Sequence, residues 1–401
     1  MRAPPRALAL LLLTLPLVWA VEVVTHWRTI DLPMGPGVEP AAYYAFLDGD
    51  CIWYRTTIVS LLSDGDLDQR NNVPMMHPLG GPRPVFPPQS DVSLGANGAW
   101  YPKHPLLLSL LGLPFYAVAG DLGLLAFNLV QLTALLVVAW FLLRRYTSEA
   151  VALAATWWLA LATQLSPAAY NFSPDVLSTL LVVSGVLALV SRRAAFAGAL
   201  FGFACCARWS NVILLPIASL FVLHEFRRRD WLAFAAPLAA CLLALAALNA
   251  WMFGSPFVTP YDRVIGSLEY GVPVLETSHR ELFDAPFFSG LWAQLSDSEH
   301  GLVVSGPHVL LAPFGLALLW RRSRADTLLL GGICLALAGL FAPYEPWRAS
   351  SIGHRFLMTD VVLSALPAAL LFARVIGEHE TRDASRVPLS PPPRPSAPAG
   401  S

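Results

Sequence analysis

The sequence predicts an all-α polytopic membrane protein of about ten transmembrane helices, with a long first outer loop that carries juxtamembrane helices. Three observations carry that prediction. Of 401 residues, 56% are hydrophobic and only 13% charged, far below the charged share of a soluble domain, and the mean hydropathy is +0.56. The apolar residues come in runs near the roughly 20 residues that a helix needs to cross a bilayer. Finally, arginine clusters close alternate runs, as the retention of positive charge in the cytoplasm requires.

The first run, Ala7 to about Val24, follows Arg2 and Arg6, which hold the N-terminus in the cytoplasm as a signal-anchor over residues 1–24. Cleavage after Val18-Trp19-Ala20 is the alternative, and either outcome leaves the next segment outside. Residues 25–121 form an outer loop too long for a plain connection. Within it, Ile52 to Leu62 has helical apolar spacing and suits a short helix in the interface. His104 to Gly120 is apolar but short, with Gly112, Pro105 and Pro114, and reads as a juxtamembrane or re-entrant segment. Counting it as a crossing would place every later arginine cluster outside.

The bundle occupies 122–374. Its runs end alternately at Arg144-Arg145, Arg192-Arg193, Arg227 to Arg229 and Arg321 to Arg324 on one side. On the other side they end at Asn171 to Asp175, Arg208 to Asn211, a second outer loop over about 253–306, and a loop from Pro343 to Arg355. Both termini are then cytoplasmic. The remaining 375–401 are a Pro-rich tail without apolar periodicity, expected to be disordered.

A net charge of -1 lacks the basic surplus that nucleic-acid phosphates demand. The five cysteines are odd in number, and all but Cys51 lie in apolar runs, so no disulfide framework or zinc cluster is implied. No P-loop, G-x-S-x-G or H-E-x-x-H pattern occurs. An enzyme of this design takes an activated donor from the membrane.

Candidate chemistry therefore sits in the outer loops. Asp48 and Asp50 precede the proposed interfacial helix, where a partly desolvated carboxylate serves as a base or metal ligand, or simply as a helix N-cap. Asp64, Asp66 and Asp68 read either as cation ligands or as a solvated Gly-centred turn. Tyr101, Lys103 and His104 place an aromatic face, a cation and an imidazole at headgroup level, for anchoring or for a lipid-linked phosphate. Arg208, Arg348 and Arg355 lie on the side where basic residues are depleted, and a guanidinium suits a phosphate; snorkelling or an ion pair such as Glu345 with Arg348 is the bland account. His308 reads as a satisfied polar residue, and Asn171-Phe172-Ser173 is an outward glycosylation sequon.

Over about residues 25–375 the chain resembles the GT-C superfamily of polyprenyl-phosphate-sugar-dependent glycosyltransferases, close to the protein O-mannosyltransferase, aminoarabinose-transferase and rhizobial lipopolysaccharide-transferase-like group. The resemblance rests on Asp48-Gly49-Asp50 with Trp53-Tyr54, on Ser60 to Asp68, and on Tyr101 to Pro105 leading to Pro114-Phe115-Tyr116. Asn249 to Pro256 with Tyr261, Gly301-Leu302 with Pro307, and Gly353-His354-Arg355-Phe356-Leu357 continue it. It implies an inverting transfer from a polyprenyl-phosphate sugar to a lipid, glycan or protein acceptor at the outer face. Asp50 would be the base and Asp48 its support. Lys103, His104 and Arg355 would bind the phosphate, with Tyr101, Arg208, Arg348 and His354 as further substrate contacts. No cofactor is required, and a divalent ion, Mg or Mn, is optional. Partners are then the donor, the acceptor and membrane lipids, without nucleic acid. Many members carry Asp-Glu where this chain has Asp50-Cys51, so a catalytically silent scaffold is one alternative. A transporter or flippase is the other, disfavoured by the scarcity of polar residues near midplane beyond Asn128 and Gln164.

Overall fold

A computed structural model describes residues 6–32, 41–47, 50–70, 92–269, 272–275, 282–349 and 353–377. Asp48 and the 378–401 tail lie outside the described residues. The described residues form a helical bundle with three short antiparallel strand pairs in its loops. Five helices among the described residues are individually long and apolar enough to cross a membrane. They are α1 (Arg6–His26), α3 (Leu107–Leu143), α8 (Arg228–Phe253), α12 (Arg324–Phe341) and the helix ending at Val375, α13 (Met358–Val375). Shorter apolar helices α4 (Glu149–Leu161), α5 (Pro174–Val190), α6 (Ala194–Ala207) and α7 (Leu215–Glu225) fill the spaces between them. The small helix α2 (Cys51–Ser63) precedes α3, while α9 (Phe287–Ser296), α10 (Leu302–Ser305) and α11 (Ala312–Arg322) follow α8.

The helix ends sort onto two faces. On one, short turns are tied together by arginines: Arg145 bonds Ser191 and Val190, Arg192 bonds Glu225, and Arg322 donates to the Tyr146 carbonyl at 3.0 Å. The other carries the long segments. There β3 (Val92–Leu94) pairs with β4 (Trp100–Pro102) and meets Val264, just before β5 (Ile265–Glu269), which pairs with β6 (Val272–Leu275). The Ser93 hydroxyl donates to the Pro260 carbonyl at 2.7 Å and Ala96 N–H to the Met252 carbonyl at 2.9 Å, so the two long loops form one cap. A further strand pair, β1 (Thr29–Leu32) with β2 (Ala41–Tyr44), follows the end of α1.

The short segment before residue 121 is helical but not continuous with the crossing that follows. Ala119 and Gly120 leave helical geometry, Gly120 at φ 58° and ψ -139°, a combination open to glycine. The Phe115 and Phe127 rings then meet at a tilt of 31° with centroids 4.8 Å apart, although twelve residues of straight helix would separate them by ~18 Å. The chain thus folds back on itself, with Gly123 under the Phe115 carbonyl. Against this corner lies α2. Its buried residues, among them Trp53, Tyr54, Thr57 and Ile58, occupy several faces, so α2 is packed into the protein rather than laid on a surface. In the bundle, α13 is buried along most of its length and α8 least, which leaves α8 at the periphery.

Candidate active site

Asp50 stands at the first turn of α2 yet does not cap it. Its Oδ2 instead accepts a 2.6 Å hydrogen bond from Arg355 Nη2, a residue 305 positions away in a one-turn helix leading into α13. The N-cap account of Asp50 therefore lacks its hydrogen bond, and the carboxylate joins the first outer loop to the last. Its side chain is 35% exposed, enough to be reached from outside the protein. Burial alone would raise the carboxyl, but His104, Arg355 and Lys103 outweigh it, and with the Arg355 hydrogen bond hold Asp50 well below the usual carboxylate range.

The elements explain why these residues meet. β4 delivers Lys103 and His104 to the start of α3; Lys103 is buried at 7% exposure, and the His104 ring stacks on Tyr54 of α2 at 5.1 Å. The Phe172 N–H donates to the Phe46 carbonyl at 2.9 Å, which fixes the segment before α5 against the segment before Asp50. Phe46, Leu47, Cys51, Tyr54 and Phe172 form the apolar floor. The buried Cys51 thiol faces Asn171 Oδ1 at 3.8 Å. Asn171 itself is 6% exposed, which shuts the sequon away from a glycosylating enzyme.

A second ion pair lies alongside. Asp175, buried in the first turn of α5, accepts from Arg208 after α6. The guanidiniums of Arg208 and Arg355 both rest on the Phe356 ring, at 4.5 and 5.1 Å from its centroid. Tyr344 meets the same ring edge-on at 5.3 Å. Asp175, Tyr54 and Phe356 were not singled out as site residues from sequence. Asp175 follows Ser173-Pro174, a pattern that also starts an ordinary helix, and its one distinguishing signal is a carboxylate placed where an apolar run begins.

Other expected contacts fall elsewhere. Tyr101 packs on Trp251 and Phe253 at 5.5 and 5.9 Å, and its hydroxyl accepts from Asn97, so it anchors the loop to α8 away from Asp50. Arg348 is exposed on the rim, 3.5 Å from Glu345 and 3.7 Å from Asp297, as the ion-pair account expects. His354 is fully buried, stacked on Trp347 at 4.6 Å, and burial drives its imidazole down to about 3, which keeps it neutral. Its backbone N–H donates to Ser305 Oγ at 2.9 Å, so its neighbour Arg355 is held by a fixed turn. His308 is satisfied: Trp158 Nε1 donates to its Nδ1 at 3.1 Å, leaving Nε2 to donate to the Val361 carbonyl at 2.7 Å. Asp66 and Asp68 accept from Asp68 N–H, Arg70 and Trp100 N–H, the bonds of a closed turn.

Among the described residues no cluster of three or more His, Cys, Asp or Glu side chains could hold a metal. Among the described residues, the carboxylates of Asp50 and Asp175 each face a guanidinium, and Lys103 adds a further cation beside Asp50.

No family model matches the chain, and no curated protein matches it. Among solved structures it shares its fold with the apo oligosaccharyltransferase of Archaeoglobus fulgidus, at a TM-score of 0.54 and 12% identity, over 91% of this chain. The chain spans 50% of the length of that enzyme. At this identity the likeness speaks for the shared fold alone.

Proposed function

We propose that this chain is an integral membrane glycosyltransferase, which moves a sugar from a polyprenyl-phosphate carrier to a lipid, glycan or protein acceptor at the outer face. In this reading the long loops face outward, the arginine-tied turns face the cytoplasm, and the bundle crosses about ten times. The observation that carries the reading is the Asp50–Arg355 pair, which sets a reachable carboxylate against a concentration of cations at one loop face.

The acceptor O–H or N–H attacks C1 of the donor sugar, Asp50 takes its proton, and the bond from C1 to the phosphate oxygen breaks with inversion. The donor phosphate diester carries one negative charge and the departing polyprenyl monophosphate gains a second. That gained charge develops in the transition state, and Arg355, Lys103 and His104 are positioned to stabilise it. Arg208, held beside Arg355 on the Phe356 ring, adds to the field.

A carboxylate held so low is a poor base while paired. Donor binding resolves this: the phosphate competes for the Arg355 guanidinium, a better bidentate partner for it than for one carboxylate oxygen, and frees Asp50 to accept a proton. Arg355 thus serves in turn as a mask for the base and as a clamp for the leaving group.

The test uses purified full-length protein in lipid with a panel of radiolabelled polyprenyl-phosphate sugars and an acceptor extract. Wild type should transfer label, and Asp50→Asn should lower turnover by about 100-fold or more while keeping the donor bound. Equal inertness of both proteins across the panel, with the fold intact and donor binding confirmed, would overturn the reading.

A further inference from the structure

A second site lies at the opposite end of the bundle. A crevice of about 640 Å³ opens between α3, α5 and α6, walled by Phe141, Leu187 and Phe196 and rimmed by Arg144, Arg145 and Arg193. The rim arginines are not equivalent. Arg145 is used internally: it donates to Ser191 Oγ at 3.2 Å and to the Val190 carbonyl at 3.0 Å, clasping the turn after α3 to the turn after α5. Arg192, next in the chain, turns away to Glu225. Arg144 lies over the Trp140 ring at 5.0 Å, and neither it nor Arg193 pairs with a carboxylate among the described residues. Both are exposed, and no acidic residue lines the crevice.

The walls complete the picture. Phe141 and Phe196 are 39% and 55% exposed, large apolar surfaces on the flank of the bundle rather than in its core. A free phosphate would find the two cations but leave these rings unused, and a zwitterionic headgroup would find no acid for its cationic end. We propose that the crevice binds an anionic phospholipid of the adjoining leaflet, with its phosphate on Arg144 and Arg193 and an acyl chain along Phe141, Leu187 and Phe196. The bound lipid bridges the two turns that Arg145 already joins. The site is remote from Asp50 and does not depend on the transfer reading.

The experiment exchanges full-length protein into detergent with equal phosphatidylglycerol and phosphatidylcholine and counts retained lipids by native mass spectrometry. Wild type should retain phosphatidylglycerol selectively. The double variant Arg144→Gln/Arg193→Gln should lose about tenfold of that selectivity, each arginine contributing several-fold. Arg228→Gln/Arg229→Gln removes two cations from another turn of the same face and should keep it. No preference in wild type, or equal loss in both variants, overturns the proposal. So does displacement by millimolar glycerol phosphate, which would mark a site for a soluble anion. A measurement on wild type alone guards against misfolding: photoactivatable phosphatidylglycerol should label peptides from 138–145 and 184–196. Labelling spread evenly over all the arginine-rich turns would refute the site.

Discussion

Asp50 and Arg355 form a pair whose pH behaviour follows from the direction of one shift. The folded carboxyl is held below its unfolded value of ~3.9, so the pair's contribution to stability is complete above that value and is lost as pH falls toward the folded one. Between pH 5 and 8, Asp50 should contribute no slope to the melting temperature. In the free enzyme, kcat/KM should show no acid limb from Asp50 over the same range. Arg355→Gln removes a principal lowering influence, so the carboxyl rises and the acid limb of kcat/KM should move to higher pH; an unmoved limb would assign it to another group. A second prediction concerns Asp175. Asp175→Asn leaves the half-enclosed Arg208 without its counter-charge, and should cost about 3 kcal/mol of stability, read as a lower midpoint in denaturant.

Among the elements, the corner before the first half-buried crossing does most to position the site. Gly120 at φ 58° and ψ -139° lets the chain reverse, and that reversal brings Asp121 to Arg55 of α2 at 2.6 Å. Gly120→Ala should therefore cost about 1–3 kcal/mol and loosen α2, lowering both the melting temperature and donor turnover. Gly123 is more restrictive, since a Cβ there would meet the Phe115 carbonyl oxygen at 1.9 Å. How much of this was legible depends on the element. The short length of His104 to Gly120, with its prolines, signalled that it does not simply continue into the next crossing. Arg355 drew attention because basic residues are depleted on its side, whereas the grouping of Asp50, Lys103 and His104 with it came from the family resemblance and not from spacing. The strand pairs were not legible, because three- to five-residue strands in Gly- and Pro-rich loops have too few alternating positions to register. Asp175 stayed hidden for a different reason: its partner Arg208 is 33 residues away across a helix pair, and pairing in space leaves no mark on spacing in sequence. Tyr101 shared a local run with Lys103 and His104, yet the strand that carries Tyr101 ends at Pro102 and the chain bends over residues 103 and 104, which parts their directions.

For the whole molecule, the separation of its two ends fixes what the fold can be asked. Arg145, Arg192 and Arg322 tie one set of turns together, while Asp50–Arg355 and the Ser93–Pro260 bond tie the loops at the other end. The described chain ends at Gly377, just beyond α13, whose last turn carries Arg374. If positive charge is retained in the cytoplasm, this end lies inside and the Asp50 cluster lies outside. A fluorescent protein fused after Gly377 should then fold and fluoresce in cells, whereas alkaline phosphatase at the same point should be inactive. The complementary fusion within the second long loop, after Thr259, should reverse both signals, since that residue shares the cap that packs over the active-site face. An active phosphatase at residue 377 would turn the molecule over and put the arginine-tied turns outside. That would separate Asp50 from any donor presented at the outer face, while the anionic-lipid crevice would survive in the other leaflet, because its chemistry depends only on Arg144 and Arg193 meeting a headgroup.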